Sequence, residues 1–288
     1  MAGLIERRRS RWSDAVRNLE RASELDPRNL WKLENLAVTY FILRDYGRDQ
    51  NTLTRMLALD PNNVFVRTTR ASREMRRRAD TRPLREEIEK VVTEDPAQVE
   101  SDHIKRARFV LAMFERDFAA ADRAVAVLPQ QDSLWDDYSR DFWVGVVARM
   151  KGDATAARAA FTSACADQEK LVRAQPDNGP LVSGLGVIDA GLDRKEEALR
   201  EGRRAIEITP IAKDAINGTA VLTNFAIICA WSGERDLAIE QLQTLTKIPG
   251  GQHYGDLRLH PFWDPLRGDP RFEKIVEEAK EPLALTGN

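Results

Sequence analysis

Three histidines, two cysteines and several adjacent carboxylates are the side chains of this 288-residue chain that could carry out chemistry. Histidine holds metals and transfers protons, and a cysteine thiolate acts as a nucleophile. His103, His253 and His260 lie far apart, and no cysteine or carboxylate recurs at a ligand spacing around them. We therefore expect surface or helix-capping histidines and no metal site.

Neither the two cysteines nor any short catalytic or nucleotide-binding motif in the sequence indicates an enzyme. Cys165 and Cys229 fall among Ala, Phe and Ile on predicted helices, so buried, unreactive thiols are expected. The sequence contains no GxxxxGK[ST], HExxH or GxSxG motif. The segment GLGVID at 184–189 resembles the start of a dinucleotide fingerprint, but it lacks the third glycine and a preceding strand. We expect a chain that is not an enzyme and binds no cofactor.

Charge is nearly balanced, with 44 Lys and Arg against 46 Asp and Glu, and this balance predicts no general attraction to nucleic acid or anionic membrane. One segment departs from the balance, because residues 67–85 contain eight arginines. A solvated helix face and an anion-binding patch are both open interpretations. The candidate anion-binding residues are Arg67, Arg70, Arg73 and Arg77.

The chain has no apolar run of about 18 residues and no apolar region after its N-terminal charges, so membrane insertion and secretion are not expected. The predicted location is cytoplasmic. A periplasmic location is the alternative if a parent protein carries an upstream transmembrane helix.

A proline recurs after short amphipathic stretches and indicates a repeat. Pro27, Pro61 and Pro96 are 34 and 35 residues apart, and Pro129, Pro176, Pro210 and Pro249 continue the series. Apolar residues at spacings of three and four precede each proline, which predicts a helix that the proline ends. A small residue also recurs one helix earlier: Gly3, Ala37, Ala71, Gly145, Gly186 and Ala226. The repeating unit is therefore a helix, a turn and a second helix.

This pattern resembles the tetratricopeptide repeat, which has a period of about 34 residues. The resemblance implies an all-α, right-handed solenoid over residues 1–249, with about seven units. The first unit is incomplete, the third is degenerate and the fifth has an extended second helix. Residues 250–288 are expected to form an extended segment across the last unit, followed by a short capping helix.

In the tetratricopeptide family the first helix of each unit, helix A, lines a concave groove that binds a protein or peptide. The resemblance places Trp31, Glu34, Val38, Phe41, Phe65, Thr68, Ser72, Met75, His103, Arg106, Val110, Phe142, Val146, Arg149, Thr223 and Ile227 along that groove. Packing between repeats is the open alternative for these residues. The lysine and asparagine that grip a terminal carboxylate in some members are absent, since Glu34, Val38, Thr68 and Ser72 occupy those slots.

Residues 179–278 also resemble the C-terminal ends of tetratricopeptide regions in large bacterial signalling proteins with a kinase, cyclase or winged-helix domain. The sequence thus predicts a non-catalytic interaction scaffold in such a protein. Two alternatives remain: a module that self-associates into homo-oligomers through its incomplete first repeat, and the regulatory region of an enzyme whose catalytic domain lies outside this chain.

Overall fold

The computed structural model describes residues 1–130 and 138–283, and those ranges contain helices without strands. Seven successive helix pairs occupy residues 2–245, and each pair consists of a helix A and a helix B. The helices are α1 (Ala2–Arg8), α2 (Trp12–Leu25), α3 (Leu30–Ile42), α4 (Tyr46–Leu59), α5 (Val64–Arg78), α6 (Arg82–Glu94), α7 (Asp102–Glu115), α8 (Phe118–Ala126), α9 (Arg140–Met150), α10 (Ala154–Ala174), α11 (Gly179–Gly191), α12 (Lys195–Ile208), α13 (Asn217–Trp231), α14 (Arg235–Leu245), α15 (Tyr254–Leu259) and α16 (Pro270–Glu278). Two short 3₁₀ helices cover Pro96–Glu100 and Pro261–Leu266.

Capping side chains and left-handed turn residues recur at the repeat spacing and mark where the helices begin and end. The side chains of Asn29 and Asn63 cap α3 and α5 by accepting hydrogen bonds from the N–H groups of Lys32 and Val66. Every turn between helix A and helix B holds one residue with positive φ: Ser10, Arg44, Ala79, Arg116, Gly152, Asp193 and Gly233. A left-handed residue at this position reverses the chain in the same way in each pair.

From α1 to α14 each helix packs against the next one in the chain, and some A helices also contact the following A helix, as α5 does with α7 and α11 with α13. The small residues lie where helices approach closely. A Cβ atom on Gly145 would lie 2.7 Å from the ring of Phe161, so α9 and α10 could not keep their separation with a larger residue there. The fold is therefore the all-α solenoid that the repeat predicts.

The apolar core is continuous over most of the solenoid but divided near its N-terminal end. One cluster of buried residues extends from Ala71 in α5 to Ala279 after α16. The first two helix pairs have two separate small clusters: Leu19, Leu36 and Tyr40, and Leu33, Ala37, Leu53, Met56 and Val66. Contacts other than a shared apolar core must therefore contribute to holding α1–α4 against the rest.

The segment after α14 differs from the prediction of an extended chain over the last unit. Residues 250–266, which we call the strap, contain α15 and a 3₁₀ helix and reach back to α3, α4 and α5. On this path the apolar side chains of the strap, Leu257, Phe262, Trp263 and Leu266, are buried, which stabilises it. Helix α16 then packs against α14 and α15.

The turn between α12 and α13 contacts the first helix pair. The N–H of Ala215 donates a hydrogen bond of 2.8 Å to the carbonyl of Arg8, and the Arg8 side chain pairs with Asp214. No helix in the described parts of the chain is long and apolar enough to cross a bilayer.

The close approach of α9 and α10 predicts the effect of one added methyl group. We expect Gly145→Ala to lower the free energy of unfolding by about 1–3 kcal/mol, because its Cβ overlaps the Phe161 ring. Gly47→Ala is the matched control, since Gly47 is an exposed helical glycine with no neighbouring atom closer than 3.9 Å. It should raise stability by about 0.5–1 kcal/mol. Urea denaturation measures both, and equal stabilisation by the two substitutions would contradict the close packing.

Candidate partner-binding groove

The groove residues suggested by the sequence divide into two groups by exposure. The accessible or half-buried ones are Trp31, Glu34, Val38, Phe41, Phe65, Ser72, His103, Arg149 and Thr223. The buried ones are Thr68, Met75, Arg106, Val110, Phe142, Val146 and Ile227. We call the surface that α3, α5, α7, α9 and α13 share the A-helix face. The strap lies against this face.

The strap first contacts the turn between α3 and α4. The N–H of Gly250 donates to the carbonyl of Ile42 at 3.0 Å, and the Arg44 guanidinium donates to the carbonyl of Gln252. Arg44 has a φ of 54° in the turn and is almost fully buried. The strap backbone is thus recognised by one carbonyl acceptor and one cationic donor.

The ring of His253 packs face to face on Phe41, with ring centroids 4.1 Å apart and an angle of 15° between the planes. Its Nδ1 lies 2.8 Å from the hydroxyl of Tyr46. Burial, and then the nearby Arg44, Arg76 and Arg73, lower the pKa of His253 well below its usual value of 6.5. Burial also raises the pKa of Tyr46 to about 12. A neutral imidazole and a protonated phenol therefore share this hydrogen bond.

Helix α15 lies against α5 at a distance that only glycine permits. A Cβ atom on Gly255 would lie 2.5 Å from the carbonyl oxygen of Met75. The next residue, Asp256, places its Oδ1 3.4 Å from Nε of Arg76. Met75, a predicted groove residue, is fully buried in this arrangement.

Farther along, the strap contacts the second half of the solenoid through rings and one arginine. Arg116, whose φ is 55°, donates to the carbonyl of Leu259 at 2.7 Å and to Asp264 at 2.5 Å. The ring of Phe262 lies 6.1 Å from Trp143 and 5.3 Å from Trp231 between centroids. Nε1 of Trp231 donates to the carbonyl of Phe262 at 3.1 Å.

One part of the A-helix face, at the beginnings of α3, α5 and α7, lies outside the described contacts with the strap. We call it the open stretch, and it consists of Trp31, Glu34, Phe65 and His103. Trp31 is 53% exposed, and the rings of Phe65 and His103 have centroids 5.3 Å apart. Burial, followed by Arg106, lowers the pKa of His103. Among the described residues, no hydrogen bond or ring contact joins the open stretch to the strap.

The arginines of residues 67–85 mostly have carboxylate partners within the chain. Arg67 bonds both Glu87 and Glu94 at 2.5 Å. Arg77 lies 3.3 Å from Glu74, and its guanidinium is 5.4 Å from the centre of the Tyr46 ring. Arg76, Arg78, Arg82 and Arg85 pair with Asp256, Glu74, Asp80 and Glu115.

Arg73 is buried and pairs with Asp49, and Arg70 lines a cavity of about 310 Å³ together with Glu74, Glu86 and Lys90. An anion-binding role for Arg67, Arg70, Arg73 and Arg77 stays a prediction. The pairings argue against it for Arg67 and Arg73, whose guanidinium groups already hold carboxylates.

Asp49 and Arg73 form a buried ion pair at the junction of the second and third helix pairs. Asp49 stands where the repeat expects a small residue. Burial raises the pKa of Asp49 to about 6, although Arg73 counteracts it. The Arg73 guanidinium also lies 4.9 Å from the centre of the Phe41 ring. The ion pair therefore supports the ring on which His253 stacks.

His253, His260 and the two cysteines lie in helix caps, ring contacts and the core. His260 caps the second 3₁₀ helix, with its Nδ1 accepting from the N–H of Phe262 at 3.2 Å, whereas His253 is buried in a ring stack and not on the surface. Cys165 and Cys229 are buried, as expected, and burial raises the pKa of Cys229 to about 12. The described parts of the chain contain no group of three or more His, Cys, Asp or Glu that could hold a metal ion.

The helix pairs, the small residues at their close approaches and the left-handed residue in each turn define the architecture. It is an all-α solenoid of helix pairs, and several of the solved structures to which the chain is similar are tetratricopeptide-repeat proteins. Among solved structures the chain is similar to a tetratricopeptide repeat protein from Parabacteroides merdae, at 12% identity and a TM-score of 0.48, covering 94% of this chain and 93% of that one. It is also similar to PilW, a type IV pilus biogenesis factor, at 16% identity and a TM-score of 0.45, covering 77% and 93%.

A third similar structure is the C-terminal part of a tetratricopeptide-repeat-containing protein from Cytophaga hutchinsonii, at 13% identity and a TM-score of 0.35, covering 94% and 95%. No protein-family model and no curated protein matches the sequence.

The buried ion pair predicts an asymmetric response to substitution. We expect Asp49→Ala to lower the free energy of unfolding by about 3 kcal/mol, because it leaves the Arg73 charge buried without a partner. The double substitution Asp49→Ala/Arg73→Met removes both charges and should recover more than half of that loss. Urea denaturation of the three chains tests this, and a single variant as stable as the unsubstituted chain would argue against the buried pair.

Strap docking should weaken as the pH falls, because the released His253 binds a proton below its ordinary pKa of 6.5 and the docked imidazole does not. Arg44, Arg76 and Arg73 lie near His253, and Arg77 and Asp49 lie near its hydrogen-bond partner Tyr46. Burial raises the pKa of Asp256, which opposes the trend.

Hydrogen exchange of residues 250–260, corrected for the intrinsic exchange rate, measures the equilibrium constant for strap opening. Protonation of the released His253 should make this constant about tenfold larger at pH 5.5 than at pH 7.5. His253→Phe keeps a stacking ring and removes the titration, so the difference between the two chains isolates the imidazole. The same pH dependence in both would exclude His253 as its source.

Proposed function

We propose that this chain is a protein-interaction scaffold whose A-helix face binds a peptide or partner segment. The observation that carries the proposal is the strap itself, because that face already holds a peptide segment through backbone and ring contacts. Arg44 and Arg116 donate to its carbonyls, and Phe41, Trp143 and Trp231 contact its rings. A surface with these properties accepts a segment from another protein by the same contacts.

The open stretch is the part of the face that an external partner reaches first. Trp31 and Phe65 provide large apolar surfaces, and Trp31 is the most exposed aromatic residue among the described ones. Exposed aromatic side chains of this kind act as anchors at interfaces. The predicted groove residues that are buried cannot touch a partner in this conformation, so the proposal rests on Trp31, Glu34, Phe65 and His103.

The wider parts of the hypothesis rest on the sequence alone. A role in a larger bacterial signalling protein follows from the resemblance, and a cytoplasmic location from the lack of a secretion signal in the sequence. Self-association through the first unit has less support, because Arg8 already contacts Asp214 and Ala215 of the same chain.

A random peptide library displayed on phage and selected against the intact chain tests the proposal. We expect the selected peptides to lose at least tenfold in affinity on Trp31→Ala, because truncation removes a central aromatic anchor. Phe118→Ala is the matched control, since Phe118 is a 38% exposed aromatic residue on a B helix. It should leave the affinity unchanged. Selection of no peptide, or of peptides insensitive to Trp31→Ala, would refute binding at the open stretch.

A further inference from the structure

We propose that residues 250–260 of the strap are a displaceable internal ligand and that the surface beneath them binds a partner segment of the same chemistry. That partner is a peptide segment with a planar ring that stacks on Phe41 and, three residues later, a carboxylate that meets Arg76. This inference rests on the proposed function and names a second site of the same face. We call it the strap site and define it by Phe41, Arg44, Tyr46 and Arg76.

The two halves of the strap are held by different forces. Residues 261–266 insert Phe262, Trp263 and Leu266 into the main core, and Trp263 is only 1% exposed. Residues 250–260 bury less apolar surface: Leu257 is their one fully buried apolar side chain, and Tyr254 and Leu259 are partly buried against the core. Their other contacts are hydrogen bonds, the ring contacts of His253 and His260, and two ion pairs, Asp256 with Arg76 and Arg258 with Glu273. Because water or a competing peptide can replace polar contacts at little net cost, the first half detaches far more easily than the second.

The ends of residues 250–260 suit such a release. Gly250 has a φ of 76° and is followed by a second glycine, so the chain leaves α14 through a flexible pair. Pro261–Leu266 stays anchored at the other end. The detached segment is then a short loop fixed at both ends, and its high effective concentration keeps it bound until a partner of comparable chemistry competes.

Two arginines indicate that the contacts with the strap are specific. Arg44 and Arg116 occupy the left-handed position of the A–B turn, which Gly152 and Gly233 occupy in other units. A residue other than glycine costs about 1–2 kcal/mol in that conformation. Both arginines use their side chains to hold a strap carbonyl, at Gln252 and Leu259. The binding role of the two side chains rests on these carbonyl contacts, because Ser10, Ala79 and Asp193 occupy the same left-handed position in other turns.

Release of the strap would leave an excess of positive charge at the strap site. Asp49 neutralises Arg73, and Glu74 pairs with Arg77. Arg44 and Arg76 lose their strap partners, the carbonyl of Gln252 and the carboxylate of Asp256. Cationic guanidinium groups beside an aromatic face select a segment that combines a ring with a carboxylate.

The experiment uses the full chain and a labelled peptide with the strap's own sequence, PGGQHYGDLRLH, residues 249–260. His253→Ala/Asp256→Ala weakens the internal strap and leaves the strap site unchanged. Fluorescence anisotropy should report at least tenfold tighter peptide binding to this variant than to the unsubstituted chain. A scrambled peptide should not bind to either. Equal binding of the strap peptide to both chains, with unchanged circular dichroism, would overturn the proposal.

Further substitutions in the weakened-strap background locate the site. Arg76→Ala and Arg44→Gly should each reduce peptide binding at least fivefold. Ala79→Gly is the matched control for Arg44→Gly, because it changes the same turn position in the next unit without a strap contact. It should leave peptide binding unchanged. Equal effects of Arg44→Gly and Ala79→Gly would show that the arginine side chain does not bind the segment.

Hydrogen exchange of the unsubstituted chain provides a test that does not depend on any variant. Saturating strap peptide should speed exchange in residues 250–260 and leave residues 261–266 protected. Unchanged exchange in both segments would overturn the proposal. Trp31→Ala should not alter peptide binding here, so a failure at the strap site is distinguishable from a failure of the open stretch.

Discussion

Stacking of helix pairs buries one apolar stripe of each B helix and most of the A helices α11 and α13, and the A-helix face is covered in part by a segment from much later in the chain. In this protein that segment is the strap, which lies along the A-helix face from α3 to α13, and its residue Gln252 is 208 positions from its contact Arg44. Apolar side chains provide the attachment at one end, through Phe262, Trp263 and Leu266. Polar contacts provide it at the other, through Arg44, His253 and Arg76. The groove of the solenoid is therefore shaped by its own C-terminal segment.

The polar end of the strap lies where the solenoid has least apolar continuity. The small clusters of the first two helix pairs are separate from the main core, and the buried pair of Asp49 and Arg73 lies at their junction with the third. Phe41 contacts Arg73 on one side and His253 on the other. Strap docking and the junction thus share one aromatic ring. A change in either alters the support of the other, and the position of α1–α4 depends on both.

Sequence could predict the fold because its signals are local. The proline spacing, the apolar stripes and the small residues each act within one or two helices, so the helix pairs and their packing follow from them. The path of the strap could not be predicted in the same way. Its helices are too short to show a period, and its contacts join residues about 200 positions apart. His253 carries no pattern that distinguishes a buried ring from a surface one.

Some of the missed features did leave signals in the sequence. Asp49 and the arginines of the third unit departed from the repeat, and a buried carboxylate next to an arginine-rich helix is a reason to expect a pair. The charge of the arginine cluster alone does not reveal its partners. The carboxylates of α4, α6 and α7 come beside these arginines only in the folded chain. The residues of the open stretch could be predicted from the groove positions of the family. Which groove positions the strap covers could be recognised only from the path of the strap.

The central claim is that the strap lies on the A-helix face, and a nuclear Overhauser measurement tests it most directly. At pH 7.5, ring protons of His253 and Phe41 should give cross-peaks, because their centroids are 4.1 Å apart, and the His253 resonances should be shifted by the ring current of Phe41. His253 resonances at random-coil positions, without cross-peaks to Phe41, would contradict the account.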